Sequence, residues 1–165
     1  MYHLDKNEII AELPKKKRVY KVIGWREWVS LPELGIKTVK AKVDTGAKTS
    51  TLHAIDVEIH KRGTKKYVSF AIHPYQKDNH YTVRAEAELY EERHIKDSGG
   101  KVTIRPVIRT EIKIGKVVKQ IELTLINRDE MGFRMLIGRE AIKGQYLVNP
   151  MRSFLSRKKK RKKRE

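Results

Sequence analysis

From Val19 onward the chain consists of short segments in which apolar and polar residues alternate or apolar residues run together, with little helical periodicity. A two-residue period places one face of a strand on a core, and a succession of such segments broken by turn residues describes a small all-β domain. The pattern predicts strands over residues 20–23, 25–31, 38–43, 53–60, 66–72, 80–87, 103–114, 116–127 and 134–137. Gly63-Thr64, Ser98-Gly99-Gly100 and Gly115 punctuate them. Gly115, between Ile112-Lys113-Ile114 and Val117-Val118, predicts a tight hairpin, because glycine accepts the positive φ that such a reversal needs. One short helix is expected after Gly138, through Glu140, Ala141 and Ile142, ending before Gly144.

A length of 165 residues argues for one compact domain with a single core. The absence of cysteine excludes a disulfide scaffold, a thiolate nucleophile and any Cys-ligated metal, and it suits a reducing cytosol, so a cytoplasmic location is expected. The longest apolar runs fall far short of the roughly 20 residues that span a bilayer, and no membrane partner or signal peptide is expected.

Charge divides the chain further. Lys and Arg number 38 against 20 Asp and Glu, a formal charge of +18, which attracts polyanions. Eight consecutive basic residues, Arg157 to Arg164, and the final Glu165 carry +7 of it. Such a block has no apolar area to bury, so residues 156–165 are expected to form a disordered tail able to contact the ribosome or RNA. Residues 1–18, ending in Lys15-Lys16-Lys17-Arg18 after Pro14, are expected to form a flexible basic lead, which leaves residues 19–155 as the folded domain.

Candidate chemistry centres on Ala41-Lys-Val-Asp-Thr-Gly-Ala-Lys-Thr-Ser50. An alternating strand delivers Asp44 to its end, and Thr45-Gly46-Ala47 then turns sharply. A carboxylate placed there, beside a hydroxyl and a backbone open to close approach, can be hydrogen-bonded and oriented. Alone, Asp-Thr-Gly is also ordinary turn chemistry. About ninety residues on, an apolar strand in Arg134-Met-Leu-Ile-Gly-Arg-Glu-Ala-Ile142 enters Gly138-Arg139 and the short helix.

Together these pieces resemble the retropepsin-like aspartic proteases. The stretch from Gly99-Gly100 through Lys101-Val-Thr-Ile-Arg-Pro-Val-Ile108 looks like their flap. Over roughly residues 20–155 the chain is more similar still to the bacterial RimB-like branch, often labelled as ATP-dependent zinc proteases. The likeness is carried by Gly24-Trp-Arg-Glu-Trp-Val-Ser-Leu-Pro-Glu-Leu-Gly35, residues 41–54, Arg105-Pro-Val-Ile108, Asn127-Arg-Asp-Glu-Met131, residues 133–141 and Ser153-Phe-Leu155.

The resemblance implies a closed β-barrel with a flap hairpin and one short C-terminal helix. It implies an aspartic peptidase that needs two carboxylates sharing a proton to activate a water. One Asp-Thr-Gly per chain then requires a homodimer, with Asp44 from each subunit at the twofold axis. Thr45 would brace the pair, Gly46 and Ala47 would let substrate approach, and Ser98, Gly99 and Gly100 would form the mobile flap tip.

Alternation puts Lys42 on the face of Asp44, and Arg134 on that of Leu136. At positions matching Lys42 and Arg134 the retroviral relatives carry apolar pocket residues, and at Lys48 an acidic one. Three cations here imply an acidic substrate. The family is associated with the glutamate ligase RimK, which extends the C-terminus of the sixth small-subunit ribosomal protein. The implied substrate is therefore a glutamate-tailed protein.

No cofactor or metal is expected. The six histidines include no H-E-x-x-H, the spacings of His53 to His60 and His73 to His80 are unlike zinc ligands, and no glycine-rich phosphate loop is present. Trp25, Trp28, Tyr67, Tyr75, Tyr81 and Tyr90 could stack bases in an RNA-binding barrel, although such residues more often serve as core or rim. A non-catalytic module of the same fold, binding ribosome or RNA or regulating the ligase, is the alternative function.

Overall fold

The computed structural model describes residues 7–13, 16–75, 80–96, 98–127 and 132–157. Twelve strands and one short helix follow in order: β1 (Glu8–Leu13), β2 (Lys16–Gly24), β3 (Arg26–Leu31), β4 (Ile36–Asp44), β5 (Ser50–His53), β6 (Ile55–Arg62), β7 (Lys65–Ile72), β8 (Val83–Lys96), β9 (Val102–Ile114), β10 (Val117–Ile126), β11 (Met135–Gly138), α1 (Arg139–Ile142) and β12 (Tyr146–Asn149). Among the described residues no helix is long and apolar enough to cross a membrane.

The larger sheet runs β10-β5-β11-β4-β3-β9-β8-β7-β6, and an additional β9–β10 pairing closes its first six strands into a barrel. The fold is therefore all-β, as the alternation predicts, with a closed barrel, as the resemblance implies. Inside it lie Val29, Leu31, Val39, Ala41, Leu52, Ile108, Ile112, Leu123, Leu125, Met135 and Ile137, all essentially inaccessible to water. Removing that apolar surface from water is the main drive for closure. The β9–β10 hairpin forms where Gly115 predicts it: Ile114 pairs with Val117, and Gly115 has φ +62°.

Beyond β9, the strands β8, β7 and β6 extend as an antiparallel ribbon. Here the chain departs from expectation. Residues 53–60 are not one strand, because β5 ends at His53 in the barrel and β6 starts at Ile55 in the ribbon. Ala54 makes the hand-over, donating its N–H to the Ile126 carbonyl (2.9 Å). The β8 strand runs to Lys96 rather than stopping near residue 87, and its register against β9 shifts between Leu89 and Glu91.

A second sheet, β1-β2-β12, lies outside the expected pattern. Residues 8–13, assigned above to a flexible lead, form β1 and pair antiparallel with β2 from Glu8–Lys21 to Leu13–Lys16. Strand β12 adds parallel to β2, with Tyr146 opposite Lys21. The last described residues are also held in place. The Arg157 guanidinium donates to Thr38 Oγ1 (2.6 Å), so the ordered body extends past residue 155. The rest of the expected basic tail, residues 158–165, lies outside the described residues.

Candidate active site

Strand β4 ends in Asp44, paired in parallel register with Gly138 at the end of β11. The backbone then folds over the carboxylate. Asp44 Oδ1 accepts the N–H groups of Gly46 (3.1 Å) and Ala47 (3.3 Å), an Asx-type turn that fixes the side chain. The Ala47 N–H also lies 3.2 Å from the Asp44 carbonyl. Asp44 is half-buried, whereas Thr45 and Gly46 are exposed.

The second element of the site holds this loop from the other side. Arg139 and Glu140 donate their N–H groups to the carbonyls of Ala47 (2.7 Å) and Lys48 (3.1 Å). These are first-turn donors of α1 that have no partner within the helix. The Arg139 guanidinium reaches the Thr45 carbonyl (3.0 Å). Gly138 donates to Ser50 Oγ (3.0 Å), and a Cβ on Gly138 would sit 2.5 Å from the Thr49 carbonyl carbon. Only glycine fits this crossing.

The predicted substrate-binding residues divide into groups. Lys42 and Leu136 are register partners on β4 and β11, so they share one face beside Asp44, and Lys42 is exposed. Arg134 is half-buried just before β11, and its carbonyl accepts the His53 N–H (2.8 Å). Lys48 is exposed and lines a groove of about 340 Å³ with Thr49, Ser50, Lys119, Glu122 and Glu140. Ser98, Gly99 and Gly100 form the exposed tip of the β8–β9 hairpin, where Gly100 has φ +83°; Asp97 lies outside the described residues. Among the described residues no cluster of three or more His, Asp or Glu side chains is arranged to hold a metal.

Two further residues hold this architecture together through contacts distant in sequence. Arg93 on β8 donates to Thr49 Oγ1 (3.1 Å), to Glu122 on β10 (2.9 Å) and to Glu91, joining the hairpin to the segment that follows the Asp44 loop. The hydrogen bond to Glu122, and then that to Glu91, raise its pKa. Glu27 is fully buried, and its carboxylate accepts the N–H groups of Gly24 (2.9 Å), Leu155 (2.8 Å) and Ser156, together with the Ser156 hydroxyl (2.8 Å). It pins residues 155–156 across the barrel wall next to the strand pair that carries Lys42.

A strand-end Asp-Thr-Gly loop gripped by a Gly-Arg turn coincides with a sequence match. The family described as retropepsin-like aspartic endopeptidase RimB matches residues 22–159. The chain belongs to the RimB-like family. Its RimB-like region is also 48% identical over 130 residues to a probable alpha-L-glutamate ligase of Desulfotalea psychrophila, covering 79% of this chain and 28% of that protein. A protein of the same name from Shewanella halifaxensis is 44% identical over 133 residues, covering 81% and 29%. The chain thus spans less than a third of these curated relatives. A crystal structure of a protein of unknown function from Legionella pneumophila superposes with TM-score 0.69 at 28% identity, covering 82% of this chain and 98% of that one. Membership of the RimB-like family supports a peptidase-like role.

Proposed function

We propose that this protein is an aspartic peptidase that hydrolyses acidic, oligoglutamate chains, removing glutamate tails added to a small-subunit ribosomal protein by the RimK ligase. The observation that carries the reading is the Asp44 carboxylate, held at a strand end by the Gly46 and Ala47 N–H groups with the uncompensated Lys42 on the same face. One carboxylate does not suffice for this chemistry. Two subunits would each supply Asp44. The ionised member takes a proton from water as that water attacks the scissile carbonyl, and the protonated member hydrogen-bonds the carbonyl oxygen. Collapse of the tetrahedral intermediate breaks the C–N bond, and the leaving nitrogen takes its proton from the dyad. In this reading Thr45 braces the two loops, and Ser98, Gly99 and Gly100 close over the substrate and exclude water. Lys42, Lys48 and Arg134 would receive substrate carboxylates, arginine in bidentate fashion.

The test is hydrolysis of an oligoglutamate-tailed peptide by the wild type and by Asp44→Asn. Loss of at least roughly 10²-fold in rate is expected from removing the acid–base group. Equal activity in the variant, or none in either protein, would sink the peptidase reading. A second reading, a non-hydrolytic module that regulates the ligase, is favoured by one observation: the curated relatives carry this region within longer proteins named as ligases. It predicts that Asp44→Asn alters ligation by RimK no differently from the wild type.

A further inference from the structure

Most surface cations of the ribbon are neutralised. Arg62 pairs with Glu86, Lys65 with Glu88, Arg84 with Asp56, and Arg93 with Glu91 and Glu122. The outward face of the β3–β4 pair differs. Lys42 lies opposite Arg26, and Lys40 opposite Trp28. Arg157 reaches over the same Trp28 ring (5.6 Å). Among the described residues, none of Arg26, Lys40, Lys42 and Arg157 has a carboxylate within ion-pair distance. Glu27, the acidic residue within β3, points inward and is spent on the 155–156 segment.

Aromatic rings hold these cations in place. Arg26 sits over Trp25 (4.7 Å) and Phe154 (5.0 Å), and its Nε donates to Ser153 Oγ (3.1 Å). Lys40 lies over Trp28 (5.9 Å) and Phe133 (5.5 Å). Trp28 stacks on Phe154 (5.8 Å), whose φ of +58° is a strained backbone held by this packing. The ring faces are therefore already occupied by cations or by one another. Such a bed orients positive charge outward and leaves little free π-surface on which a nucleobase could stack.

We propose that the stripe Lys42–Arg26–Lys40–Arg157 is a track for an extended acidic peptide leading away from Asp44. It rests on the reading of Asp44 as the cleaving residue and adds to it Arg26 as a contact for every tail and Lys40 and Arg157 as determinants of substrate length. At about 3.3 Å per strand residue, Lys40 lies roughly 13 Å from Asp44, the span of about four residues of an extended peptide. Short tails reach only Lys42 and Arg26; tails of about four or more acidic residues reach Lys40 and Arg157.

Binding of fluorescent peptides ending in two or in six glutamates to full-length Asp44→Asn protein separates this from the cleavage chemistry. Lys40→Gln and, independently, Arg157→Gln are expected to weaken the six-glutamate peptide by about tenfold, roughly 1.4 kcal/mol, while leaving the two-glutamate peptide within about twofold. Lys61→Gln, a cation on the distant ribbon, leaves both unchanged. Equal losses for the two peptides, losses matching those of Lys61→Gln, or no binding at all would overturn the track. So would a single-stranded oligonucleotide whose affinity falls more with Lys40→Gln than the peptide's does, since that outcome assigns the face to nucleic acid. Length-dependent binding without cleavage by the wild type would retain the track and reject the peptidase; cleavage without length dependence would do the reverse.

Discussion

Asp44 and Gly138 face each other across the parallel β4–β11 ladder, and the missing side chain of Gly138 is what lets the 49–50 backbone pass beneath the Asp44 loop. A methyl group there would meet the Thr49 carbonyl carbon at 2.5 Å and the Ser50 nitrogen at 2.8 Å, both backbone atoms that have no rotamer to yield. Gly138→Ala is therefore expected to cost about 2 kcal/mol of stability, the scale of overpacking, and to displace the loop. Urea unfolding reads the first effect, and hydrolysis of a glutamate-tailed peptide reads the second.

Glu27 offers a sharper stability test. Glu27→Ala strands the N–H groups of Gly24, Leu155 and Ser156 and the Ser156 hydroxyl. The expected loss is about 3–5 kcal/mol, as for breaking a buried charged network. Glu27→Gln keeps one acceptor oxygen and the side-chain volume, and it should lose less. Equal denaturation midpoints for wild type and Glu27→Ala would contradict the assigned role of the carboxylate.

The Arg93 bridge predicts a dynamic effect. Arg93→Gln removes the guanidinium contacts to Glu122 and Glu91 and replaces the Thr49 contact with a shorter reach. Amide hydrogen exchange in residues 98–102 should accelerate by about tenfold, while exchange in β11 stays unchanged. Arg93→Lys retains charge without the fork and is expected to rescue only part of the protection.

Alkaline pH should reveal Tyr146. Burial, with the Glu27 charge adding to it, pushes its phenol pKa up from 10.0 to about 12. The unfolded chain gives up this proton first, near the ordinary value. The stability contribution is thus complete below about pH 10 and falls as pH rises toward about 12. Tyr146→Phe abolishes that component, so the wild-type urea midpoint should fall relative to the variant's between about pH 10 and pH 12, starting from the offset that the lost hydrogen bond to the Ile114 carbonyl sets.

How much of this could be read from the residues depended on the range of the interactions. The Gly115 hairpin and the placement of Asp44 at a strand end are local, and alternation with turn chemistry was sufficient for both. Glu27 was half-legible: the two-residue period of Arg26–Leu31 puts it inward with Val29 and Leu31, but apart from Gly24 its donors lie almost 130 residues away. The second half of β8 was not legible. Its Glu-Leu-Tyr-Glu-Glu-Arg run lacks strand propensity, and partnership with β9 imposes the conformation. Strand β12 was missed for the same reason, since four residues pairing in parallel with β2 leave no hairpin signal. Arg93 was hidden because its partners Thr49 and Glu122 are brought to it only by barrel closure.

The ribbon ends at β6, beyond which, among the described residues, the ladder has no further strand. An unpaired edge is a template for adding another chain, the first step toward aggregation. Asp56, Glu58, Lys61 and Arg62 stand exposed along this border, and Asp56 carries a positive φ of 52° where the register against β7 shifts. Charge of both signs and a kinked entry make the border a poor template. The outermost strand is thereby protected from self-association.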